Sequence, residues 1–308
     1  PDPDYLLNSG GKSHGEMTGY QIKEIEKIIL IEKPDYLMVY GDTNSTLSAA
    51  LAASKLHIPI VHIEAGLRSN NMKMPEEINR IITDRLSKIL FCSSDDAKQN
   101  LLKEGYKNFD IDIHIVGDIM LDTIKLFIDN LEIKNPYEEP YVICTIHRQE
   151  IINSGERLKE IVEGINEISK TVKIIFPIHP RTKKLISEHK IVLNDNILVT
   201  QPMSYINFLS HIKHCEIVIT DSGGLQKESY FMKKNCLVIR RETEWSELIE
   251  KNFNKLCGFE KEKIVRNFNN RLNLNTDFSF PIYGDGNTAK KIIDIMLDNF
   301  KSNFKDLN

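Results

Sequence analysis

Short, uniformly apolar runs alternate along this chain with longer stretches in which apolar residues recur every three to four positions. The runs are YLMVY (36–40), IPIVHI (58–63), KILFC (88–92), IHIVG (113–117), YVICTI (141–146), VKIIFPI (172–178), ILVT (197–200), CEIVIT (215–220) and CLVIR (236–240), and each reads as a strand. The stretches between them read as amphipathic helices. In EMTGYQIKEIEKIILIEK, for example, Met17, Ile22, Ile25, Ile28 and Ile29 fall on one face and Pro34 closes the pattern. Strands that are apolar throughout, separated by helices, predict parallel sheets covered on both faces, an α/β fold. A more polar stretch, FIDNLEIKNPYEEPY (127–141), interrupts the alternation before it resumes. It predicts a linker between two doubly wound domains, with a ligand in the cleft at the carboxyl ends of their strands.

Composition narrows the class of partner. The 308 residues, 41% hydrophobic and 27% charged, suit about two domains. A formal net charge of −4 supplies no basic field for nucleic acid or a membrane surface. No apolar stretch reaches the ~18 to 20 residues of a spanning helix, and no signal-peptide pattern opens the chain. The expectation is a cytoplasmic protein with no nucleic-acid or membrane partner. Cys92, Cys144, Cys215, Cys236 and Cys257 never form CxxC and read as reduced core residues. The His and Cys positions show no metal-ligand spacing, and neither GxSxG nor a P-loop occurs, so the sequence calls for no metal and no cofactor. The segment PDPDYLLNSGGKSHGEMTG is turn-rich, an odd opening for an α/β protein.

In such a fold the chemistry collects where strands end, and four strand exits carry it. After YLMVY comes GDTNST, with Asp42 at the strand tip; it is either a functional carboxylate or the cap of the next helix. After IPIVHI comes EAGLRSNNMKMPEEINR. Glu64 stands directly at the strand end, two residues after His62 and so on the same side of a regular strand, while Glu76 and Arg80 are spaced i, i+4 for an ion pair. His147 and Arg148 follow YVICTI, and His179 and Arg181 follow VKIIFPI; two such exits together point to the wall of an anion-binding cleft. The fourth exit, TDSGGLQKES, leads a strand into Ser222, Gly223 and Gly224 at a helix start. There bare backbone N–H groups and the helix dipole can meet a phosphate, with no Cβ in the way at the glycines. Glu228, farther along that helix, suits the hydroxyls of a ribose. Phosphate binding without a P-loop, together with several strand-end carboxylates, predicts a nucleotide-sugar enzyme.

The strings VYGDTNSTL, HIEAGLRS, MPEEINRIITD, TIHRQE, FPIHPRT, TDSGGLQKE and YGDG occur in this order along nearly the whole chain. With them the chain resembles the non-hydrolysing UDP-N-acetylglucosamine 2-epimerases. That resemblance implies two Rossmann-like, doubly wound domains facing a central cleft, the arrangement of GT-B glycosyltransferases. It places an N-terminal domain at 1–116, completed by a C-terminal helix at 284–308, and a UDP-binding domain at 117–283. It implies that Ser222, Gly223 and Gly224 hold the diphosphate, that Glu228 takes the ribose hydroxyls, that Phe208 lies by the uracil, and that His147 approaches the diphosphate and the leaving oxygen. Arg148, His179, Arg181 and His14 complete the substrate-binding set. Asp42, Glu64 and Glu76 match the family's catalytic acids, with Arg80 orienting Glu76.

The reaction so implied interconverts UDP-GlcNAc and UDP-ManNAc for surface polysaccharide precursors. UDP is eliminated anti, a 2-acetamidoglucal forms, and UDP returns to it; a homodimer is the implied assembly. Two departures from the family pattern stand out. The family's opening strand and G-[TA]-R-P motif have no counterpart before PDPDYLLNSGG, so the chain is expected to be an N-terminally incomplete piece. RETEWSE (241–247) puts Trp245 where many members carry a basic residue, and Met74 precedes PEE where others have Trp. Those variants are similar to a branch acting on UDP-2,3-diacetamido-glucuronic acid, although Trp245 can equally be a packing residue. A GT-B glycosyltransferase and an inactive UDP-sugar-binding fragment are the remaining alternatives.

Overall fold

The structure, a computed structural model, describes residues 2–130, 134–272 and 274–305. The chain divides into two compact units, 1–122 with 282–308, and 123–281.

The first unit begins with α1 (His14–Glu32), β1 (Leu37–Tyr40), α2 (Asn44–Lys55), β2 (Ile60–Ala65), α3 (Pro75–Leu86), β3 (Ile89–Cys92), α4 (Asp95–Lys103) and β4 (Asp112–Ile115). Its four strands are parallel in the order β1-β2-β3-β4. Helix starts follow the expected side-chain chemistry. Ser13, Thr43 and Ser94 each accept a hydrogen bond from the backbone three residues on, satisfying N–H groups that a helix leaves open. Ile29, Val39, Ala50, Ala53 and Ile60 form one apolar cluster, and Val61, Ile63, Ile89, Phe91 and Val116 another. Ile292 of α13 (Thr288–Lys305), a helix reached only after the second unit, belongs to that second cluster. The Ala289 N–H donates to Asp122, and the Asp118 N–H to the Tyr283 carbonyl. Each fully buried Val, Ile or Leu contributes about 1.5–3 kcal/mol, so these contacts tie α13 to the sheet.

Between these elements, α5 (Ile119–Asn130) leads into β5 (Tyr141–Thr145), α6 (Gln149–Ile152), α7 (Gly155–Ser169), β6 (Lys173–Pro177), α8 (Pro180–Glu188), β7 (Ile197–Thr200), α9 (Tyr205–His214) and β8 (Ile217–Thr220). The second unit then ends with α10 (Gly223–Phe231), β9 (Asn235–Val238), α11 (Ser246–Glu250), β10 (Asn254–Leu256) and α12 (Lys261–Arg271). Its sheet is parallel, in the order β10-β9-β8-β5-β6-β7. The chain order reverses between β5 and β8, and in doubly wound sheets that reversal opens a crevice at the carboxyl ends of the two strands.

The observed α/β class, with every strand pair parallel among the described residues, is the one the alternation predicts; β4, reading Asp-Ile-His-Ile, is less apolar than the run predicted there. Two other elements differ. Phe127–Asn130, the start of the predicted linker, is the end of α5, because Ile124 is buried on that helix and carries its apolar face onward; Leu131–Ile133 lie outside the described residues. β10 has no counterpart among the predicted strands. As a three-residue edge strand reading Asn-Lys-Leu it needs no apolar run, since only one side pairs. The five cysteines are all buried and free. Burial pushes the Cys215 thiol up to about 12 and that of Cys257 to about 11, so neither is a thiolate at neutral pH. No helix among the described residues is long and apolar enough to cross a membrane.

Candidate functional site

In the first unit two of the predicted carboxylates, Asp42 and Glu64, stand at the ends of β1 and β2. The Thr43 hydroxyl, not Asp42, caps α2. Asp42 Oδ2 lies 3.3 Å from Arg80 Nη2, and its backbone carbonyl accepts from Asn79 Nδ2 at 2.8 Å. Glu64 sits on a bulge in β2, where the register with β3 shifts between Ile63 and Ala65, and its φ is +73°. A non-glycine residue in this left-handed region costs on the order of 1–3 kcal/mol and persists only where its surroundings enforce it. The bulge also interrupts the strand alternation that would set Glu64 and His62 on one side. Its result is that Glu64 Oε2 approaches Gly41 to within 3.7 Å of where a Cβ would stand, next to Asp42.

Arg80 is placed differently from its expected role. Arg80 is buried, 1% exposed; Nη1 lies 3.2 Å from Glu77 Oε2, Nη2 faces Asp42, and Nε donates to the backbone carbonyl of Glu76 at 3.3 Å. Arg80 therefore orients Asp42 and Glu77 rather than the Glu76 carboxylate. The i, i+3 partner wins because α3 turns Glu77 inward, where its carboxylate also accepts from the N–H groups of Ser69 and Asn70 and from the Ser69 hydroxyl, folding the loop after β2. Glu76 stays at the partly exposed start of α3. The His14 ring Nδ1 lies 2.9 Å from the Asn44 amide, on the same side of the unit as Asn79, which also reaches Asn44.

Beneath these groups runs a buried charged chain. His62 Nδ1 lies 2.7 Å from Asp84 Oδ1 and His62 Nε2 lies 2.8 Å from the Gly41 carbonyl. Asp84 Oδ2 accepts from the Gly66 N–H and from Arg68 Nη1, and Arg68 forms a two-pronged pair with Glu104. Burial opposes the charge on His62, but the Asp84 hydrogen bond and charge outweigh it and raise its pKa. Burial opposes the Asp84 charge as well, and His62 and Arg68 hold that carboxyl below its ordinary range.

In the second unit a cavity of about 330 Å³ opens where β5, β6 and β8 end. His147, His179, Phe208, Ser222 and Glu228 line it with Thr145 at the end of β5, and Pro177, Pro202 and Met203 join them without any chemical signature in the sequence. Asp221, absent from the predicted set, organises the β5 exit. Its Oδ2 accepts from the backbone N–H groups of both His147 and Arg148 at 2.7 Å, and its Oδ1 lies 3.1 Å from His147 Nδ1. A carboxylate facing Nδ1 puts the proton there and leaves Nε2 for a ligand. The Asp221 hydrogen bond raises the His147 pKa against the effect of burial. Ser222 caps α10, its hydroxyl accepting from the Leu225 N–H. Burial raises the Glu228 pKa, opposed by a hydrogen bond from Tyr205.

Three predicted residues are placed by other demands. His179 caps α8 with Nδ1, accepting from the Arg181 N–H, while Arg181 itself is exposed and donates to Asn153. At Gly223, a Cβ would stand 2.4 Å from Glu244 Oε1, so any larger residue there would have to displace the end of that carboxylate side chain. Glu244 pairs with buried Arg240 at 2.9 Å; burial works against its charge, and Arg240 holds the carboxyl below the usual range. Trp245 is 3% exposed with the Lys227 ammonium 4.1 Å over its ring, a packing partner for a buried cation. Among the described residues no group of His, Cys, Asp and Glu could hold a metal ion.

Comparison with known proteins identifies the family and the fold. The sequence model of the UDP-N-acetylglucosamine 2-epimerase family matches residues 1–297. A UDP-2,3-diacetamido-2,3-dideoxy-D-glucuronate 2-epimerase of Pseudomonas aeruginosa is 42% identical over 299 residues, covering 96% of this chain and 84% of the relative. A UDP-N-acetylglucosamine 2-epimerase of Methanococcus maripaludis is 44% identical over 312 residues, with the same coverage. The crystal structure of Methanocaldococcus jannaschii UDP-GlcNAc 2-epimerase in complex with UDP-GlcNAc and UDP aligns with a TM-score of 0.88 at 41% identity, covering 96% of this chain and 85% of that one.

Proposed function

The chain belongs to the UDP-N-acetylglucosamine 2-epimerase family and is an epimerase, and from that premise we propose that it interconverts UDP-N-acetylglucosamine and UDP-N-acetylmannosamine. The observation that carries the reading is the convergence of His147, Phe208, Ser222 and Glu228 on one cavity at the β5/β8 reversal. Those four supply what a nucleoside diphosphate asks for. The start of α10 offers N–H groups to the diphosphate, the Phe208 ring lies by the uracil, the Glu228 carboxylate accepts from ribose hydroxyls, and His147 Nε2 serves the leaving phosphate oxygen.

The carboxylates of the first unit supply the acid–base chemistry. The C2–H of the sugar is not acidic, so cleavage of C1–O must build positive charge on the ring that nearby carboxylates stabilise while one base removes the proton. UDP leaves anti to that proton, 2-acetamidoglucal forms, and a proton returns to the opposite face as UDP re-adds. Asp42 and Glu64 act in proton transfer, with Glu76 as the third acid and Arg80 setting Asp42. Arg148, His179, Arg181 and His14 remain in the substrate-binding set by resemblance, as do a homodimeric assembly and a cytoplasmic location.

Incubation with UDP-N-acetylglucosamine in heavy water should place deuterium at C2. Absence of exchange with that sugar and with the diacetamido-uronate would sink the reading. A second substrate, the UDP-diacetamido-glucuronate, is supported by the 42% identity to the Pseudomonas protein. Trp245 no longer argues for it, since packing on Lys227 accounts for that residue. Turnover of the two purified sugars compared side by side decides between them.

A further inference from the structure

His62 plays no part in the proposed chemistry, yet it is fully buried and touches the turns that carry both proton-transfer carboxylates. Its two ring nitrogens face acceptors only, a carboxylate oxygen at Nδ1 and a peptide carbonyl at Nε2. A neutral imidazole has one N–H, so two such bonds at 2.7 and 2.8 Å require both nitrogens to carry hydrogen. The ring is an imidazolium, and the charge is balanced inside the unit. Asp84 faces it from α3, Glu64 acts on it from its own strand, and Arg68 and Glu104 continue the chain beyond Asp84.

The bonds of this pair lead to two places. Through Nε2, His62 holds the Gly41 carbonyl, the residue immediately before Asp42. Through Asp84, it holds the Gly66 N–H, two residues after the strained Glu64. We propose that His62 is a permanently charged, double-donor positioning residue that fixes the Asp42 turn and the Glu64 bulge relative to one another. A bulge with a left-handed glutamate persists only if something over-determines it, and two short charge-assisted bonds from one rigid ring do so. The inference rests on the assignment of Asp42 and Glu64 to proton transfer.

Three measurements on the full chain test it. Long-range ¹H–¹⁵N spectra, assigned through bonds, should show His62 still protonated at both nitrogens above the pH at which an ordinary histidine has lost its charge; a neutral tautomer there overturns the proposal. His62→Gln keeps a donor toward Gly41 and His62→Asn one toward Asp84. Each should lower deuterium exchange at C2 by about 100-fold, the scale set by displacing a reacting group by an ångström, and leave UDP affinity within about twofold. Wild-type exchange in either folded variant refutes the proposal, and if neither variant folds the spectra decide alone. Asp42→Asn and Glu64→Gln separate the two failures. Exchange retained in those variants removes the assignment, whereas exchange lost there but kept in the His62 variants removes the positioning role.

Discussion

Asp42 Oδ2 stands 3.3 Å from Arg80 Nη2, and the same guanidinium reaches the buried Glu77 at 3.2 Å. One arginine thus couples the carboxylate that follows β1 to the carboxylate that folds the neighbouring loop. Arg80→Ala strands Glu77 in a buried place with its charge unpaired, which costs about 3–5 kcal/mol. Denaturant unfolding should show a loss of that size. Arg80→Lys should lose less stability yet remain impaired in exchange, because an ammonium cannot bridge two carboxylates in the fixed geometry of a guanidinium.

Asp42→Asn and Glu64→Gln keep shape and remove the titrating group. Each should lower C2 exchange by at least about 10²–10⁴-fold, the usual share of general acid–base catalysis. The cavity proposed to take UDP belongs to the other unit, so calorimetry should find UDP affinity unchanged within about twofold. Weakened UDP binding in either variant counts against the division of roles.

Glu64 pays for its position in backbone strain, and glycine is free of it. Glu64→Gly should therefore exceed Glu64→Ala in stability by about 1 kcal/mol, since both lack the carboxylate and only alanine keeps the Cβ at a φ of +73°. Thermal melts of the pair measure the difference, and equal melting temperatures contradict it.

His147 and Asp221 make UDP binding pH-dependent. Asp221 raises the His147 pKa, so the imidazolium that favours a diphosphate is fully present below the ordinary histidine range and is lost as pH rises through the raised value. UDP affinity should fall across that rise. In Asp221→Asn the fall should move to lower pH. Calorimetric titrations across the neutral range would reveal it, and an unshifted midpoint in the variant excludes Asp221 as the cause.

The α/β class, nearly every strand, and the polar residues at strand ends could be read from sequence, because apolar runs and turn chemistry are local in the chain. Asp42, Glu64, His147 and Ser222 were visible for the same reason: each stands within two residues of the end of an apolar run. β10 was hidden because an edge strand of three residues needs no apolar signature.

What only the tertiary structure decided is the pairing of charges. Glu77 and Glu76 look alike in sequence, and it is the rotation of α3 against β2 that buries one and leaves the other partly open. Asp84 reads as an ordinary polar residue of α3, yet it meets His62 and Arg68 because the helix packs over the strand. Asp221 sits in plain view beside Ser222, but its hold on His147 depends on β5 and β8 lying side by side, two strands separated by the 71 residues between Thr145 and Ile217 and brought together by sheet register. Burial and electrostatics act through space, so the sequence by itself determined which residues stand at the strand ends, and the fold decided which carboxylate each cation meets.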